Sequence, residues 1–305
     1  MARPTDPEPE GPIQTSVVIP ALSAWGTLPA VLDALQPQLE SAGREALLVE
    51  SSGELSLAAI EDRWPWLRAL VLPRPALPGE ARNVGAREAR GEWLAFLDAD
   101  CIPERGWLDR LERSVGQAAV AGSILNGTPH SAVGTAGYLL EFLDWHPGAR
   151  RTLEHAASCN LMVRKRALEE RGGFPEDTYP GEDTILTVPL AAAGELGYEP
   201  AARVRHLNRT DLRQFLVHQH RLGRSFAEVC SRVDFPHRRI GRPALAPLAG
   251  VSRLLALGWR LLRTPRQALT ATLLLPLIVL GLFAWSVGLA TAGRGSLSRA
   301  TPTRP

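Results

Sequence analysis

The chain has 305 residues and sets 34 Lys and Arg against 32 Asp and Glu, a formal net charge of +2. That length fills one large domain or two small ones, and a hydrophobic share of 45% excludes a disordered chain. The near-neutral balance argues against a nucleic-acid binder, which would gather basic residues on one face.

Residues 1–13 are rich in Pro and acids and lack the apolar core of a signal peptide, so they read as a loose tail. Ser16-Val-Val-Ile-Pro20 is the first expected strand, and an amphipathic helix over Gly26–Leu39 follows it with Leu28, Val31, Leu32 and Leu35 on one face. Ala46–Glu50 is the second strand and Leu67–Leu72 the third. Pro78-Gly79 opens a helix carrying Glu80-Ala-Arg82-Asn83. Trp93–Leu97 is the fourth strand. Strands alternating with helical periods predict βαβ units and a parallel sheet.

The fourth strand ends in Asp98-Ala-Asp100, the most informative pattern in the chain. Alternate residues of an extended segment point the same way, so both carboxylates can aim at one point. Two hard oxygen ligands at the C-terminal edge of a strand suit Mg²⁺ or Mn²⁺ that also carries phosphates. Ligands of open α/β sheets bind at that edge. A solvated loop capping a strand would carry the same letters, so the pattern needs company.

Further strands are expected at Gln117–Leu125 and Cys159–Val163, a tight turn at Gly172-Gly-Phe174-Pro175, and a helix over Thr184–Ala193 behind Gly181-Glu-Asp183. A strand-like passage then runs to Val204-Arg-His206, and a basic helix over Asp211–Val229 carries His218, His220, Arg221 and Arg224. Cys101, Cys159 and Cys230 are odd in number and widely spaced, which fits neither a disulfide framework nor a zinc site and points to a reducing compartment.

Two apolar segments follow. Leu245–Leu262 reads as a helix lying in a membrane interface, with Arg253 and Arg260 at its edges. Ala268–Ala292 is free of charge and long enough, as one helix, to cross a bilayer. Arg260, Arg263 and Arg266 flank it on one side and place the N-terminal part on the cytoplasmic face of the cell membrane. Arg294, Arg299 and Arg304 on the other side leave open a hairpin with both ends cytoplasmic.

Taken in order, Ser16–Pro20, Glu50, Arg82-Asn83, Asp98-Ala-Asp100, Gly172-Gly-Phe174, Gly181-Glu-Asp183 and His206 resemble the family 2 glycosyltransferases, over about residues 15–225. The resemblance implies an α/β GT-A fold and inverting transfer from a nucleotide sugar, with a UDP-sugar as the first candidate. It implies that Pro20 lines the nucleotide pocket and that Glu50 meets the base. It sets Arg82 and Asn83 beside the nucleotide and Asp98 on the ribose or a metal-bound water. Asp100 and His206 would then be ligands of Mn²⁺ or Mg²⁺. Asp183 stands where the family has its catalytic base, with Glu182 as a neighbour that holds the acceptor instead. Ser51 departs from a position that is frequently acidic, which leaves the base open.

Gln219-His-Arg221 and Arg224 lie where processive members carry Gln-x-x-Arg-Trp, but the Trp is absent. That points to a non-processive enzyme whose Arg221 and Arg224 reach the diphosphate. The acceptor implied is a lipid-linked or surface glycan. The expected organisation is a glycosyltransferase domain over 14–235, its nucleotide half 14–110 and acceptor half 111–235. An interfacial segment over 236–266, a transmembrane helix over 267–293 and a tail over 294–305 complete it. Two other readings compete: a nucleotidyltransferase acting on a sugar phosphate, for which the loop Pro20–Thr27 lacks a Gly-rich phosphate cradle, and an inactive membrane-anchored binding subunit, against which the intact acids argue.

Overall fold

The computed structural model describes residues 14–54, 57–148, 152–234 and 238–293, so the expected tails 1–13 and 294–305 lie outside it. The first three apolar runs become β1 (Thr15–Ala21), β2 (Arg44–Glu50) and β3 (Arg68–Val71), joined by α1 (Leu28–Leu35), α2 (Leu57–Arg63) and α3 (Pro78–Glu88) before β4 (Trp93–Leu97). Neighbours among these four strands run parallel, as the alternation of periods predicts. The segments Val17–Ile19, Leu47–Val49 and Leu94–Leu97 are wholly buried, because helices cover both faces of a parallel sheet.

The second half adds β5 (Cys101–Pro103), α4 (Trp107–Arg113), β6 (Ala119–Asn126), α5 (Ala132–Glu141), β7 (Asn160–Arg164), α6 (Lys165–Glu170), α7 (Glu182–Ala192), β8 (Leu196–His206) and α8 (Leu212–Arg232). All eight strands form one sheet in the order β3-β2-β1-β4-β7-β6-β8-β5. It is mixed rather than parallel throughout. The chain leaves β6 through α5 and returns to the sheet at the same end, so β7 runs antiparallel to both β6 and β4. Phe174 meets Phe96 of β4 edge to face with ring centres 5.0 Å apart, which docks the Gly-Gly-Phe turn onto the central strand. Gly172 and Gly173 adopt φ of 77° and 81°, a left-handed conformation that side chains resist.

The expected helix over Gly26–Leu39 is shorter, because Pro37 tightens its end into a 3₁₀ turn over Gln36–Gln38. The larger correction is at the C-terminus. Residues 267–293 are not one helix: after α9 (Ala246–Leu261) come α10 (Pro265–Leu273) and α11 (Leu275–Ala290), bent 82° against each other. Pro276 supplies the reason, since it lacks an N–H for the preceding turn and starts a new helix instead. Among the described residues no single helix is long and apolar enough to cross a membrane, and only the bent pair would pass by length and composition. α11 lies on α8 at very close range: a Cβ at Gly223 would stand 1.9 Å from the Trp285 carbonyl oxygen, and one at Gly288 would stand 2.0 Å from that of His220.

Candidate active site

β1, β2 and β4 all end at one edge of the sheet, with Ala21 opposite Glu50 in register. The loop after β1 is tied to the acid pair, as Thr27 Oγ1 donates to the Ala99 carbonyl at 2.7 Å. Pro20, half-buried, and Glu50 therefore stand on the same edge as Asp98 and Asp100. The Glu50 carboxylate is turned onto its own loop, where it accepts from Ser52 N at 2.8 Å and Gly53 N at 3.2 Å and from the Ser52 hydroxyl.

Asp100 and His206 meet because β5 pairs antiparallel with β8, setting Cys101 opposite His206 and binding Leu207 N to the Asp100 carbonyl at 2.8 Å. His206 Nε2 lies 3.6 Å from Asp100 Oδ1. Ligand atoms of Asp100, Cys101 and His206 all fall within 4.8 Å of one another. Burial pushes the Cys101 thiol well above its usual range, so it stays protonated and is a poor ligand. A carboxylate oxygen and an imidazole nitrogen remain, a donor set that suits Mn²⁺ or Mg²⁺ alongside phosphate oxygens.

Neighbouring side chains orient the imidazole. Asn208 Nδ2 donates to the His206 carbonyl at 3.0 Å and to Asn126 Oδ1 at 3.0 Å, leaving its Oδ1 to accept from His206 Nδ1–H at 3.0 Å. With the proton fixed on Nδ1, the Nε2 lone pair faces Asp100. Phe142 packs against the ring with centroids 4.3 Å apart.

Asp98 takes a different part. Arg82, buried at the start of α3, donates through Nη2 to Asp98 Oδ1 and through Nη1 to Glu182 Oε1, each at 2.7 Å. Burial opposes the guanidinium charge, but Asp98 and Glu182 outweigh it and hold Arg82 above the ordinary arginine value. Burial also dominates at the acids, raising Asp98 and pushing Glu182 up to about 7 against the pull of Arg82. Among the described residues, Arg82 Nε and Glu182 Oε2 are buried without a hydrogen-bond partner. The bridge brings the Asp-x-Asp loop and the start of α7 together from 84 positions apart in sequence.

Asp183 follows Glu182 in the first turn of α7 and is half-buried. Its Oδ1 accepts from Thr184 N at 2.7 Å and its Oδ2 from Ser158 N at 3.2 Å, so backbone donors orient the carboxylate. Asn83 is wholly engaged elsewhere: it donates to the Phe174 carbonyl at 2.8 Å and Glu176 Oε1 at 2.9 Å and accepts from Phe174 N at 2.9 Å. It clasps the Gly-Gly-Phe turn. Arg221 lies over the Tyr179 ring at 5.9 Å, close to the start of α7. Arg224, one turn further along α8, lies near His220.

Sequence reasoning missed Asn208, the Ser158 amide and the buried pair of Glu141 with His218, whose Nε2 lies 3.1 Å from Glu141 Oε2. Only Asn208 left a signal: two positions past His206 in an extended chain, it shares a side with it.

A family model described as "Glycosyl transferase family 2" matches residues 16–171. Among curated proteins, the pre-mycofactocin glycosyltransferase of Mycobacterium tuberculosis is 32% identical over 178 residues, 54% of this chain and 37% of that protein. The succinoglycan biosynthesis protein ExoO of Rhizobium meliloti is 33% identical over 164 residues, 48% of this chain and 46% of its own. The chain thus spans less than half the length of either relative. In fold, the chain is similar to the mannosyltransferase PcManGT from Pyrobaculum calidifontis, solved with GDP-Man and Mn²⁺, at a TM-score of 0.60 and 19% identity over 93% of this chain and 90% of that one. It is also similar to the glucosyl-3-phosphoglycerate synthase of M. tuberculosis, solved with Mn²⁺, UDP-Glc and phosphoglyceric acid, at a TM-score of 0.53 and 20% identity over 73% and 80% of the two chains.

Proposed function

This chain belongs to glycosyl transferase family 2, and we propose that it moves a sugar from a nucleotide-sugar donor to a lipid-linked or surface-glycan acceptor with inversion at the anomeric carbon. The observation that carries the reading is the Arg82 bridge, which joins the Asp98–Asp100 loop to the pair Glu182–Asp183 through two 2.7 Å contacts. A donor-binding edge and a candidate base are thereby tied together.

Asp100 and His206 would hold Mn²⁺ or Mg²⁺, which supplies charge neutralisation to the departing diphosphate. Asp183 takes the proton of the acceptor hydroxyl as its oxygen bonds to the anomeric carbon, while the bond from that carbon to the diphosphate oxygen breaks and the nucleoside diphosphate leaves. One base suffices for inversion, and no second carboxylate acts as nucleophile. Arg82 keeps Asp98 and Glu182 in place at the cleft. Arg221, stacked on Tyr179 ahead of α7, reaches the diphosphate.

A UDP-sugar is the first donor to test, with GDP-sugars second, since the two structural relatives described above were solved with UDP-Glc and with GDP-Man. We place the reaction at the cytoplasmic face of the cell membrane, whose anionic leaflet would attract the exposed Arg263 and Arg266. The test is a thermal-shift screen of the purified chain over UDP-, GDP- and dTDP-sugars with and without Mn²⁺, because a ligand bound only by the folded state raises the melting temperature. A metal-dependent rise with one nucleotide sugar, followed by its slow hydrolysis, is the expected result. No response to any donor overturns the reading.

A further inference from the structure

The surface between residues 245 and 287 differs from the rest of the molecule. Of 19 large apolar side chains that stand exposed among the described residues, 14 lie in this stretch. On α9 they form a stripe at helical spacing, Leu248, Val251, Leu255 and Trp259. On α11 Leu275, Val279, Phe283 and Val287 recur every fourth residue. The opposite sides of both helices are packed: Gly250 of α9 seats against Ser286, and Trp285 and Leu289 of α11 are buried. Patches of this extent on soluble proteins mark contact surfaces.

Charge says what the contact is. Residues 235–305 hold ten arginines and no acid, whereas residues 1–234 hold all 32 acids and the other 24 basic residues. A chain of net charge +2 is thus divided into a body at −8 and a C-terminal segment at +10. Arg239, Arg242, Arg263 and Arg266 are exposed around the apolar face.

We infer that α9, α10 and α11 form a seat on an anionic phospholipid bilayer, lying in its interface and not crossing it. A second copy of this chain would bring two strongly positive faces together, whereas anionic headgroups attract them. α11 has 16 residues, about 24 Å of helix against a hydrocarbon core of about 30 Å, and its inner side is covered by α8 and α9. The 82° bend turns α10 out of line with it. Such a helix suits shallow burial of one face.

The seat is joined to the catalytic edge. Arg253 Nη2 donates to the Leu140 carbonyl at 3.1 Å, and Arg260 pairs with Asp144 at 2.7 Å, on either side of the Phe142 that packs against His206. A lipid-linked acceptor could then present its head group to the cleft without leaving the membrane. In that purpose alone the inference rests on the proposed transfer reaction.

The test uses the full chain with phosphatidylcholine vesicles and with vesicles in which phosphatidylglycerol replaces part of that lipid. Co-sedimentation with the anionic vesicles only is expected, and Leu255→Glu with Trp259→Glu should lower it at least tenfold. Mn²⁺-dependent donor hydrolysis, measured without vesicles, should be unchanged in that variant. Loss of hydrolysis in the wild type would sink the transfer reading while leaving the seat standing. Equal binding to both vesicles, binding unaffected by the two substitutions, or a dimer by light scattering that buries this face would overturn the seat. Cysteines placed singly at Arg263 and Ala292, in a Cys230→Ser background, decide the geometry. Both should react with an impermeant maleimide added outside the vesicles, and protection of one alone would show a crossing and overturn the inference.

Discussion

Asn208 accepts the Nδ1 proton of His206 at 3.0 Å while its own amide is fixed by the His206 carbonyl, so the side chain of one residue sets the tautomer of the other. Replacing it as Asn208→Ala leaves the imidazole free to rotate and to carry its proton on Nε2. Loss of such a partner weakens metal affinity about 10–100-fold. Titration of Mn²⁺ by its paramagnetic signal should show that loss with the far-ultraviolet spectrum unchanged. Affinity within twofold of wild type would mean that His206 is not a ligand.

Asp100→Ala removes the carboxylate that faces His206 across 3.6 Å. Calorimetry with UDP or GDP should then show no gain in affinity on adding Mn²⁺. A gain equal to that of the wild type would take Asp100 out of the metal site.

Asp183→Asn nearly preserves volume and keeps an acceptor for the Ser158 amide. Donor affinity should hold while turnover falls about 10²–10⁴-fold, the usual cost of losing a general base. Turnover within a few-fold of wild type would exclude Asp183 and leave Glu182 as the base.

Arg82→Met strips the buried Glu182 and the half-buried Asp98 of their shared cation. Breaking one side of a buried pair costs about 3–5 kcal/mol. Urea unfolding should register a loss of that order, larger than for Arg68→Met, whose partner Glu88 sits at the surface. Similar losses for the two variants would show that the bridge contributes no more than a surface pair.

Burial pushes Glu182 up to about 7, whereas an unfolded glutamate titrates near about 4.3. Between those values the folded chain keeps a proton that the unfolded chain has released, so this group lowers stability as pH rises through the window. Glu182→Gln has no such slope. The melting temperature of the variant relative to wild type should therefore climb between about pH 5 and about pH 8. A difference that stays constant over that range would show that Glu182 does not titrate there.

Local pattern marks where the strands end and in what order the chemical groups fall along the chain. β4 stops where the continuous apolar run meets Asp98 and Asp100, and Glu182-Asp183 follow a glycine at a helix start, both local properties that pattern and charge express directly. What Arg82 binds was not legible, because its partners lie 16 and 100 positions away and any exposed helix start could carry the same arginine. Nor could the sequence assign Asn83 to the Gly-Gly-Phe turn, or say that β7 would enter the sheet antiparallel, since strand direction follows from where a long connection re-enters.

The C-terminal segment shows the division most clearly. Twenty-five uncharged residues, 268–292, describe equally a helix surrounded by lipid and one half-covered by protein, as hydropathy counts side chains without saying what they touch. Packing separates the two: Pro276 breaks the run, and Gly223 and Gly288 let α11 press against the backbone of α8, so one side of the helix is core and only the other is left exposed.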